Sequence, residues 1–444
     1  SKADGADQKP FGCYSSDTEV LTRRGWIGHG EVTLNDDVAC FDMKREILTW
    51  EKPNKIHEYE YSGEMIEIKG ASVNFLVTPN HNMVIKKPAS KGGWTNTWRK
   101  MEAKKINGTL IKIPGGARFV LTGEMTNTSM AFARFLGWWI SEGCLDGNAP
   151  VLTQCVGKLS EKMKSTVAEM GYEANIWVGY TNSRDNEKPC MQMRLRKATS
   201  LGRWLGENAG KGAHNKKIPI EMFGCSEECR SEFLYALMDG DGHWRSDKQG
   251  TYTTVSKQLA DDFQKLAIMS GWTARICAKK SKWSPQFTVL IGRRKKLEVR
   301  ANRHVRKIPY TGQVFCLTVP TGAYITRRNG YAGISGNSAF WHNGARATWY
   351  IKASPDLSND SVLDIGLYNR KANLARAQRW VGFRGEFTDF KTYFTPSDPS
   401  STPELAEHIS LTQRMKEVLK RGPMANEDLA IAVGAQAKRV TETA

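Results

Sequence analysis

The hydrophobic pattern of this 444-residue chain changes its period twice, and that change limits the folds the chain can adopt. In residues 13–118, short segments such as EVLT, DVACFD and FLVTPNHNMVIKK alternate apolar and polar residues or are rich in β-branched residues, as strands are. Residues 119–309 contain runs with helical spacing, among them RFLGWWISEG and SKQLADDFQKLAIMSGW, separated by strand-like runs. Residues 310–337 return to strands and glycine turns. The pattern predicts an all-β module that is split by an inserted α+β domain.

Two further segments flank this arrangement, residues 1–12 before it and residues 338–444 after it. Residues 411–444 contain three helix-like runs separated by RGPMA and VGAQ, the layout of a helix-turn-helix or winged-helix unit. A plain helical bundle has the same pattern. We therefore expect an α-rich C-terminal part, residues 338–410, followed by a helix-turn-helix-like segment, residues 411–444.

The charge balance indicates an acidic partner. The chain carries 64 Lys and Arg against 46 Asp and Glu, a net charge of +18, which favours nucleic acid binding. No apolar run reaches the length of a membrane span, and the first residues contain no apolar signal core, so we expect neither membrane association nor secretion. The nine cysteines are widely spread and odd in number, which favours a reducing compartment. We expect a monomer in the cytoplasm of a prokaryotic or virus-infected cell.

The start of the β module holds a thiol beside an unhindered peptide bond. Cys13 follows Gly12, so its thiol can attack the Gly12 carbonyl and form a thioester, a shift that is uphill and slow without help. The stretch LVTPNHNM supplies Thr78 and His81, a hydroxyl and an imidazole three residues apart that can polarise this bond and carry its proton. A buried structural Cys and an ordinary turn would have the same residues.

The end of the β module holds a matching pair. The Ser338 hydroxyl can capture an acyl group, and the Asn337 side-chain amide can attack its own main-chain carbonyl, which cuts the bond to Ser338 and closes a succinimide. Asn followed by Ser is also a common loop pair. Together, the two ends predict a chain that excises its own middle.

At this point the sequence resembles an intein, a protein-splicing element that interrupts a host protein. CYSSDTEVLT resembles the first conserved block of the family, GASVNFLVTPNHNMVI the second, and GQVFCLTVPTGAYITRRNG with YAGISGNS the last two. The resemblance covers residues 13–337 and implies the horseshoe-shaped Hint fold, in which both splice junctions meet. It implies Cys13 as first nucleophile, Thr78 and His81 as activators, Asn337 as the cyclising residue and Ser338 as second nucleophile.

Three positions in the last two blocks bear on this resemblance. Cys316 stands where the family often has a Cys or Asp that assists acyl transfer. The residue before the terminal Asn is commonly His but here is Gly336, and the later His of the VFCLTV block has no counterpart in GAYIT. We therefore expect slow or conditional cyclisation of Asn337.

The inserted domain contains two helical runs that each end in an acid and a glycine, RFLGWWISEG with Glu142 and EFLYALMDGDG with Asp241. Small residues let two such helices pack closely, which brings their terminal carboxylates together. Two neighbouring carboxylates repel each other unless divalent cations lie between them, and such a site positions water for attack on a phosphodiester. One such helix alone would be an ordinary helix C-terminus.

These two runs resemble the paired motif of the LAGLIDADG (DOD-type) homing endonucleases, with FLGWWISEG and LYALMDGDG in the motif positions. The resemblance implies an αββαββα pseudo-repeat, Mg²⁺ held by Glu142 and Asp241, and double-stranded DNA carrying the uninterrupted host gene as substrate. The first copy is degenerate, since Ser141 and Glu142 replace Ala and Asp. HNKKIPIEMF resembles the Lys-Ile-Pro block of the family, from which we select Lys217 as catalytic.

A basic segment near the end of the insert predicts a surface that follows DNA phosphates. Residues 121–310 contain 30 basic and 19 acidic residues. The alternative is a solvated basic face. The predicted DNA-binding residues are Arg275, Lys279, Lys280, Lys282, Arg293, Arg294, Lys295 and Lys296.

Joining the flanks of the element gives SKADGADQKPFG followed by SAFWHNGARATWYIK, which resembles a loop and strand of RecA-like phage-type ATPases or helicases. No GxxxxGK[ST] motif is present in the chain. Three functions remain open: a splicing element with an active endonuclease, a splicing element whose nuclease has decayed into a DNA-binding relic, and a non-enzymatic DNA-binding replication protein.

Overall fold

The computed structural model divides into two compact units, Ser1–Ser338 and Ala339–Ala444. It describes residues 12–89, 92–106, 110–121, 125–180, 189–279, 285–293, 296–336, 347–356, 359–372, 380–399, 402–406, 409, 411–420, 422–435 and 441. Across these ranges, no helix combines the length and the hydrophobicity that a membrane crossing requires.

The first unit is built from short strands at both ends of the sequence and from helices between them. Its strands are β1 (Tyr14–Ser15), β2 (Thr18–Thr22), β3 (Gly25–Ile27), β4 (Val38–Asp42), β5 (Ile47–Glu51), β6 (Lys55–Lys69), β7 (Asn74–Val77), β8 (Asn82–Ile85), β9 (Arg99–Glu102), β10 (Leu110–Pro114), β11 (Arg118–Phe119), β12 (Gly143–Asp146), β13 (Ala149–Cys155), β14 (Ala174–Tyr180), β15 (Pro189–Leu195), β16 (Gly242–Ser246), β17 (Gln249–Thr254), β18 (Thr273–Lys279), β19 (Gln286–Gly292), β20 (Lys296–Arg300), β21 (Val305–Thr318), β22 (Ala323–Arg328) and β23 (Tyr331–Gly336). Its helices are α1 (Met130–Glu142), α2 (Lys158–Glu169), α3 (Thr199–Asn208), α4 (Glu221–Gly224), α5 (Glu227–Asp241), α6 (Lys257–Met269) and α7 (Ala301–His304), and two short 3₁₀ helices lie at Ala103–Lys105 and Ala213–Asn215.

The β module closes on itself through two long strands. β6 and β21 pair antiparallel from Lys55↔Thr318 to Ile68↔Val305, and β1 lies between β21 and β7 to complete a closed barrel. A second sheet contains β5, β4, β2, β22 and β23 in that order. Because β1 and β23 both belong to this module, the two ends of the element are built into one body.

The boundary predicted between residues 309 and 310 is wrong, because it falls in the middle of β21. β20 already pairs with β10, from Lys296↔Pro114 to Arg300↔Leu110, so the β module resumes near residue 296. The high density of Lys and Arg in this segment led to its assignment to the inserted domain. A strand pairs through its backbone, so basic side chains do not prevent it from joining the module.

The inserted domain consists of two similar halves. α1 and α5 pack side by side, each followed by a hairpin that continues into a four-stranded sheet. The first sheet has the order β12-β13-β15-β14, and the second contains β16, β17, β19 and β18. The second sheet joins that of the β module through one pair, Arg275 of β18 opposite Tyr331 of β23.

The second unit contains a four-stranded antiparallel sheet in the order β24 (Ala347–Asp356), β25 (Asn359–Ala372), β26 (Val381–Phe387) and β27 (Thr392–Ser397). The prediction of an α-rich part is therefore wrong, because runs such as ATWYIK and VGFRGEF are rich in aromatic and β-branched residues. Three helices follow, α8 (Pro403–Ala406), α9 (Leu411–Leu419) and α10 (Asn426–Ala432). Met415, Leu429 and Val433 form a small core between α9 and α10. The helix-turn-helix assignment stays a prediction.

Candidate functional site

The first site surrounds the peptide bond between Gly12 and Cys13. The Cys13 side chain is fully buried, and its backbone N–H donates to Thr78 Oγ1 at 2.9 Å. The Thr78 N–H in turn donates to the Cys13 carbonyl at 2.9 Å. Pairing of Tyr14 with Val77, the last residue of β7, sets this register. The Thr78 hydroxyl therefore binds the nitrogen of the bond that the Cys13 thiol would break.

His81 lies beneath the same bond in a fully buried position. Its Nε2 lies 2.9 Å from Ser335 Oγ, and its ring meets that of Tyr14 edge-on at 4.4 Å between centroids. Burial lowers the pKa of His81 to about 4, although the nearby Gly12 backbone partly opposes this shift. Nδ1 is buried and has no partner at hydrogen-bonding geometry among the described residues. The imidazole is therefore neutral at physiological pH, with one nitrogen available beside Gly12.

The two junction glycines pack on one short turn. A Cβ on Gly12 would lie 2.5 Å from His81 Cα, and a Cβ on Gly336 would lie 2.4 Å from the Asn82 carbonyl oxygen. The Tyr14 hydroxyl also donates to the Gly336 carbonyl at 3.2 Å. The residue before Cys13 and the residue before Asn337 therefore both contact the Asn80–Asn82 turn.

Asn337 and Ser338 lie outside the described residues, so the structure gives no geometry for their side chains. The backbone around Gly336 nevertheless leaves no room for a side chain at this position. With the Asn82 backbone this close, any side chain at position 336 would force two strands apart.

A second thiol lies beside the first. Tyr14 of β1 pairs with Phe315 of β21 in antiparallel register, which places Cys13 opposite Cys316. Both thiols are buried. A hydrogen bond with the Cys316 thiol, together with burial, raises the pKa of Cys13 far above its ordinary value. The Cys13 thiol is therefore protonated at neutral pH and needs a base before it can attack.

Sequence reasoning missed a histidine and a tyrosine beside these thiols. His57 of β6 lies directly opposite Cys316, is 4% exposed, and has Nε2 3.0 Å from Thr318 Oγ1 and Nδ1 3.3 Å from the Tyr59 hydroxyl. Burial and the two thiols raise the pKa of Tyr59 to about 12, and burial lowers the pKa of His57. Only their alternation along one strand face, in HEYEY, hints at a shared role.

The second site lies where α1 and α5 end. A Cβ on Gly137 would lie 2.6 Å from Ala236 Cβ, and a Cβ on Gly240 would lie 2.4 Å from Ser141 Cβ. These contacts occur at equivalent positions of the two motif copies, so small residues set the helix spacing as the sequence predicts. Glu142 follows Ser141, and its Cγ lies 3.4 Å from the same Gly240 position, which brings it beside Asp241.

The carboxyl groups of Glu142 and Asp241 both have raised pKa values. Burial raises the pKa of Glu142, while burial and the Glu142 charge raise the pKa of Asp241 to about 6. Asp241 lines a cleft of about 650 Å³ that is formed by polar and apolar residues from both halves of the insert. Two hard oxygen donors that repel each other fit a Mg²⁺ ion that keeps several of its waters. In the described part of the chain no third His, Cys, Asp or Glu completes a denser cluster.

The lysine that lies in this cleft is Lys216, and Lys217, the residue predicted from the sequence, does not line it. Lys216 is 5% exposed, and its Nζ donates to the carbonyls of Trp139 at 2.9 Å and Gly143 at 3.0 Å. Its ammonium also lies 3.4 Å from the centre of the Trp139 ring. Burial lowers its pKa to about 7, which the Asp241 charge partly offsets. Lys217 is exposed on another surface, because consecutive residues of this extended segment point in opposite directions.

Two of the predicted DNA-binding arginines contact protein groups. Arg275 donates to the Ala71 carbonyl at 2.6 Å and to the Tyr331 hydroxyl at 3.1 Å, which ties the insert to the β module. Arg293 stacks on Trp272 and donates to the Tyr235 hydroxyl at 2.9 Å, on the side of the sheet where α5 packs. Both arginines therefore have protein partners in the structure, and their DNA binding stays a prediction.

The other basic residues of that set are only partly visible. Lys279 is exposed at the end of β18, and the backbone of Lys296 pairs with Pro114. The remaining four lie outside the described residues: Lys280, Lys282, Arg294 and Lys295.

Residues 228–304 match the LAGLIDADG-like domain family. This stretch contains α5 and the second sheet of the insert. The second half of the insert is therefore LAGLIDADG-like.

Relatives at the sequence level have unrelated names. The chain is 24% identical over 404 residues to an ATP-dependent Clp protease proteolytic subunit of Chlamydomonas moewusii, covering 83% of this chain and 37% of that protein. It is 30% identical over 327 residues to the ATP-dependent DNA helicase Hel308 of Thermococcus kodakarensis, covering 60% and 28%. It is 23% identical over 367 residues to a ribonucleoside-diphosphate reductase subunit beta of Aquifex aeolicus, covering 73% and 50%. The chain thus spans half or less of each of these three proteins.

Among solved structures, a splice-inactive variant of the AceL NrdHF class 3 split intein aligns with a TM-score of 0.26 and 11% identity, over 73% of this chain and 98% of that chain. The homing endonuclease I-DmoI in complex with DNA and Mn aligns with a TM-score of 0.27 and 14% identity, over 37% of this chain and 89% of that chain.

Proposed function

We propose that residues 13–337 are a self-splicing intein that excises itself and joins Gly12 to Ser338. The observation that carries this proposal is the packing of both junction glycines on the Asn80–Asn82 turn. Two chain positions more than three hundred residues apart are held there against the backbone of consecutive residues, His81 and Asn82. Ordinary loop ends do not need backbones packed so closely that neither accepts a methyl group.

The first step is attack of the Cys13 sulfur on the Gly12 carbonyl carbon. The Gly12–Cys13 C–N bond breaks, a thioester forms, and the proton lost by the thiol ends on the released Cys13 amine. Thr78 Oγ1 accepts from this nitrogen and orients the amide, at 2.9 Å. His81, neutral because its pKa is about 4, lies beside Gly12 with a buried nitrogen that can carry the proton.

Removal of the thiol proton is the difficult part of this step. The pKa of Cys13 is raised by its hydrogen bond with Cys316 and by burial, so the thiolate is rare. Tyr59 and His57 form a hydrogen-bonded pair next to both thiols and supply a path for that proton. Cys316 assists by exchanging its proton with Cys13, which matches the role its sequence position implies.

The later steps use residues at the downstream junction. The Ser338 oxygen attacks the thioester, which releases the Cys13 thiol and forms an ester. The Asn337 side-chain nitrogen then attacks its own carbonyl carbon, and the Ser338 amine leaves. An acyl shift from the Ser338 oxygen to this amine completes the ligation. Tyr14 donates to the Gly336 carbonyl and holds the chain before Asn337, and no histidine assists from position 336, so we expect cyclisation to limit the rate.

We further propose that the insert is a homing endonuclease that cuts both strands of the uninterrupted host gene. Its support is the acid pair at the end of two closely packed helices, together with the LAGLIDADG-like match over residues 228–304. Glu142 and Asp241 would hold Mg²⁺, which when bound lowers the pKa of water and neutralises charge on the phosphate. Lys216 lies in the same cleft, where its lowered pKa suits proton transfer near pH 7.

The different functions named for the relatives support the proposal that residues 13–337 are inserted in a host protein. A protease subunit, a helicase and a reductase share no activity, yet each aligns with this chain over half or less of its length. A mobile element inserted in unrelated hosts produces this distribution. We propose that the host here is a RecA-like ATPase or helicase of a prokaryotic or virus-infected cell, in which residues 338–444 are the downstream part, and that the precursor is monomeric.

Intact mass spectrometry tests the splicing proposal. The wild-type chain should yield an excised element of 325 residues, 13–337, and a ligated product of 119 residues, in which 1–12 are joined to 338–444. Cys13→Ala should leave only precursor or downstream cleavage, and Asn337→Ala should stop release of the downstream segment. A wild-type precursor that persists unchanged through a long incubation, with no excised element, contradicts the proposal.

Cleavage of a DNA fragment that carries the uninterrupted host site separates the remaining alternatives. An active endonuclease cuts with Mg²⁺ and loses this activity with Asp241→Asn. DNA binding without cutting, together with splicing, identifies a decayed nuclease. DNA binding with neither cutting nor a mass change on Cys13→Ala identifies a non-enzymatic DNA-binding protein.

A further inference from the structure

Two cysteines of the insert face each other across the first sheet. Cys155 ends β13 and Cys190 lies near the start of β15, directly opposite it in register. Their sulfur atoms are 3.6 Å apart. Cys155 is exposed and Cys190 is partly exposed, unlike the buried thiols Cys13 and Cys316.

The backbone places this pair at a position suited to a disulfide. The Val156 N–H donates to the Pro189 carbonyl at 2.8 Å, so residues 155 and 190 form a non-hydrogen-bonded pair of the antiparallel ladder. In such pairs the Cα atoms are about 4.5 Å apart, within the range of about 4.4 to 6.8 Å that disulfides span. Closing the sulfur distance requires side-chain rotation and no movement of the strands.

The surroundings leave room for this rotation. Cys155 and Cys190 lie three positions from Leu152 and Met193, whose side chains are buried on the helix side, so the thiols lie on the opposite face. Gly179 of β14 is the next residue across from Cys190, and open space surrounds the position of its missing Cβ.

We propose that Cys155 and Cys190 are a redox-sensitive modification site. They form a reversible disulfide with each other, across the two strands, by exchange with a small disulfide such as oxidised glutathione. One thiolate attacks a glutathione sulfur, which gives a mixed disulfide and releases one glutathione. The second thiolate attacks the protein sulfur of that mixed disulfide and releases the other glutathione. The protein loses two protons and two electrons, and the oxidant gains the electrons. The bond would link the ends of β13 and β15 in the first sheet, whether or not the chain excises residues 13–337 or cuts DNA.

Peptide mapping under non-reducing conditions tests this proposal. The full-length chain is incubated with oxidised glutathione, the remaining thiols are blocked, and the digest is analysed by mass spectrometry. We expect a linked pair of peptides containing Cys155 and Cys190, which dithiothreitol releases. Cys155→Ser and Cys190→Ser should each abolish the link. Cys144→Ser, which removes another exposed thiol of the same sheet, should retain it.

Stable glutathione adducts on either cysteine without the link would overturn the proposal, because they would show that the second thiol cannot reach. Unmodified thiols, or a link from Cys155 to Cys144, would overturn it as well. Circular dichroism of the serine variants should match wild type, so that a missing link reflects chemistry and not unfolding. Since the readout is a peptide mass, it does not depend on splicing or on DNA cleavage.

Discussion

If the chain splices as proposed, placing a histidine at position 336, where inteins commonly have one, should slow release of the segment that follows Asn337. In Gly336→His, the new Cβ would lie 2.4 Å from the Asn82 carbonyl oxygen, where ordinary contact begins near 3.4 Å. The strand end and the Asn82 turn must therefore separate by about 1 Å, at a cost of roughly 1–3 kcal/mol. A misplacement of this size near reacting groups can reduce a rate by about 100-fold. We expect release of the downstream segment to slow by about that factor.

The assay follows cleavage after Asn337 by intact mass over time. Gly336→Ala carries the same Cβ without the imidazole and should be slowed to a similar extent, which separates crowding from chemistry. Gly28→Ala is the matched control, since a Cβ there meets no heavy atom within 4 Å. If Gly336→His splices faster than wild type, or Gly336→Ala at the wild-type rate, the steric argument is wrong.

Three further outcomes follow from buried charges. Lys216→Met should reduce DNA cleavage by about 100-fold or more, the contribution of a general acid or base, while Lys217→Met should leave the gel-based cleavage rate unchanged. The pKa of His81 is about 4, below its ordinary 6.5, so the free energy of unfolding should fall by about 3 kcal/mol as the pH decreases from 6.5 to 4. Urea titrations of a splicing-deficient variant across this range should show this dependence of the unfolding free energy on pH, and His81→Asn should remove it. Arg327, 3% exposed, binds carboxylates from the β module and the insert, so Arg327→Gln should destabilise the first unit by about 3–5 kcal/mol in chemical denaturation. Arg118→Gln, whose ion pair is exposed, should have a much smaller effect.

The contacts around the Gly12–Cys13 bond were largely predictable from the sequence, because the proposed chemistry requires particular residue types at fixed spacing. A thiol after glycine and a hydroxyl and imidazole three residues apart predicted contacts that the structure shows, with Thr78 on the Cys13 nitrogen and His81 beside Gly12. The position of His57 was not predictable. It is brought to Cys316 by strand pairing across 259 residues of sequence separation, which no local motif records.

The choice between Lys216 and Lys217 shows the limit of motif reading. Neighbouring residues in an extended segment point to opposite sides, so a one-residue uncertainty in a block match exchanges a buried group for an exposed one. Lys216, Ile218 and Pro219 are buried and Lys217 is exposed, so only Lys216 faces the cleft that Asp241 lines. The basic segment has a different limit, because charge density does not indicate which partner a side chain meets. Arg275 and Arg293 are held by tyrosine hydroxyls and aromatic faces.

The insert and the β module share one hydrophobic core. This shared core affects how the proposed splicing and nuclease activities can be separated. Leu21, Phe41 and Trp50 of the module belong to the same buried cluster as the helices of the insert. β18 also extends the sheet that contains β23, and β23 ends at Gly336, the residue before Asn337. Deleting the insert would expose these side chains at about 1.5–3 kcal/mol each and would remove the neighbour that supports β23. An insert-free splicing element therefore needs polar replacements on this face, since closing the loop alone leaves the junction strand without its support.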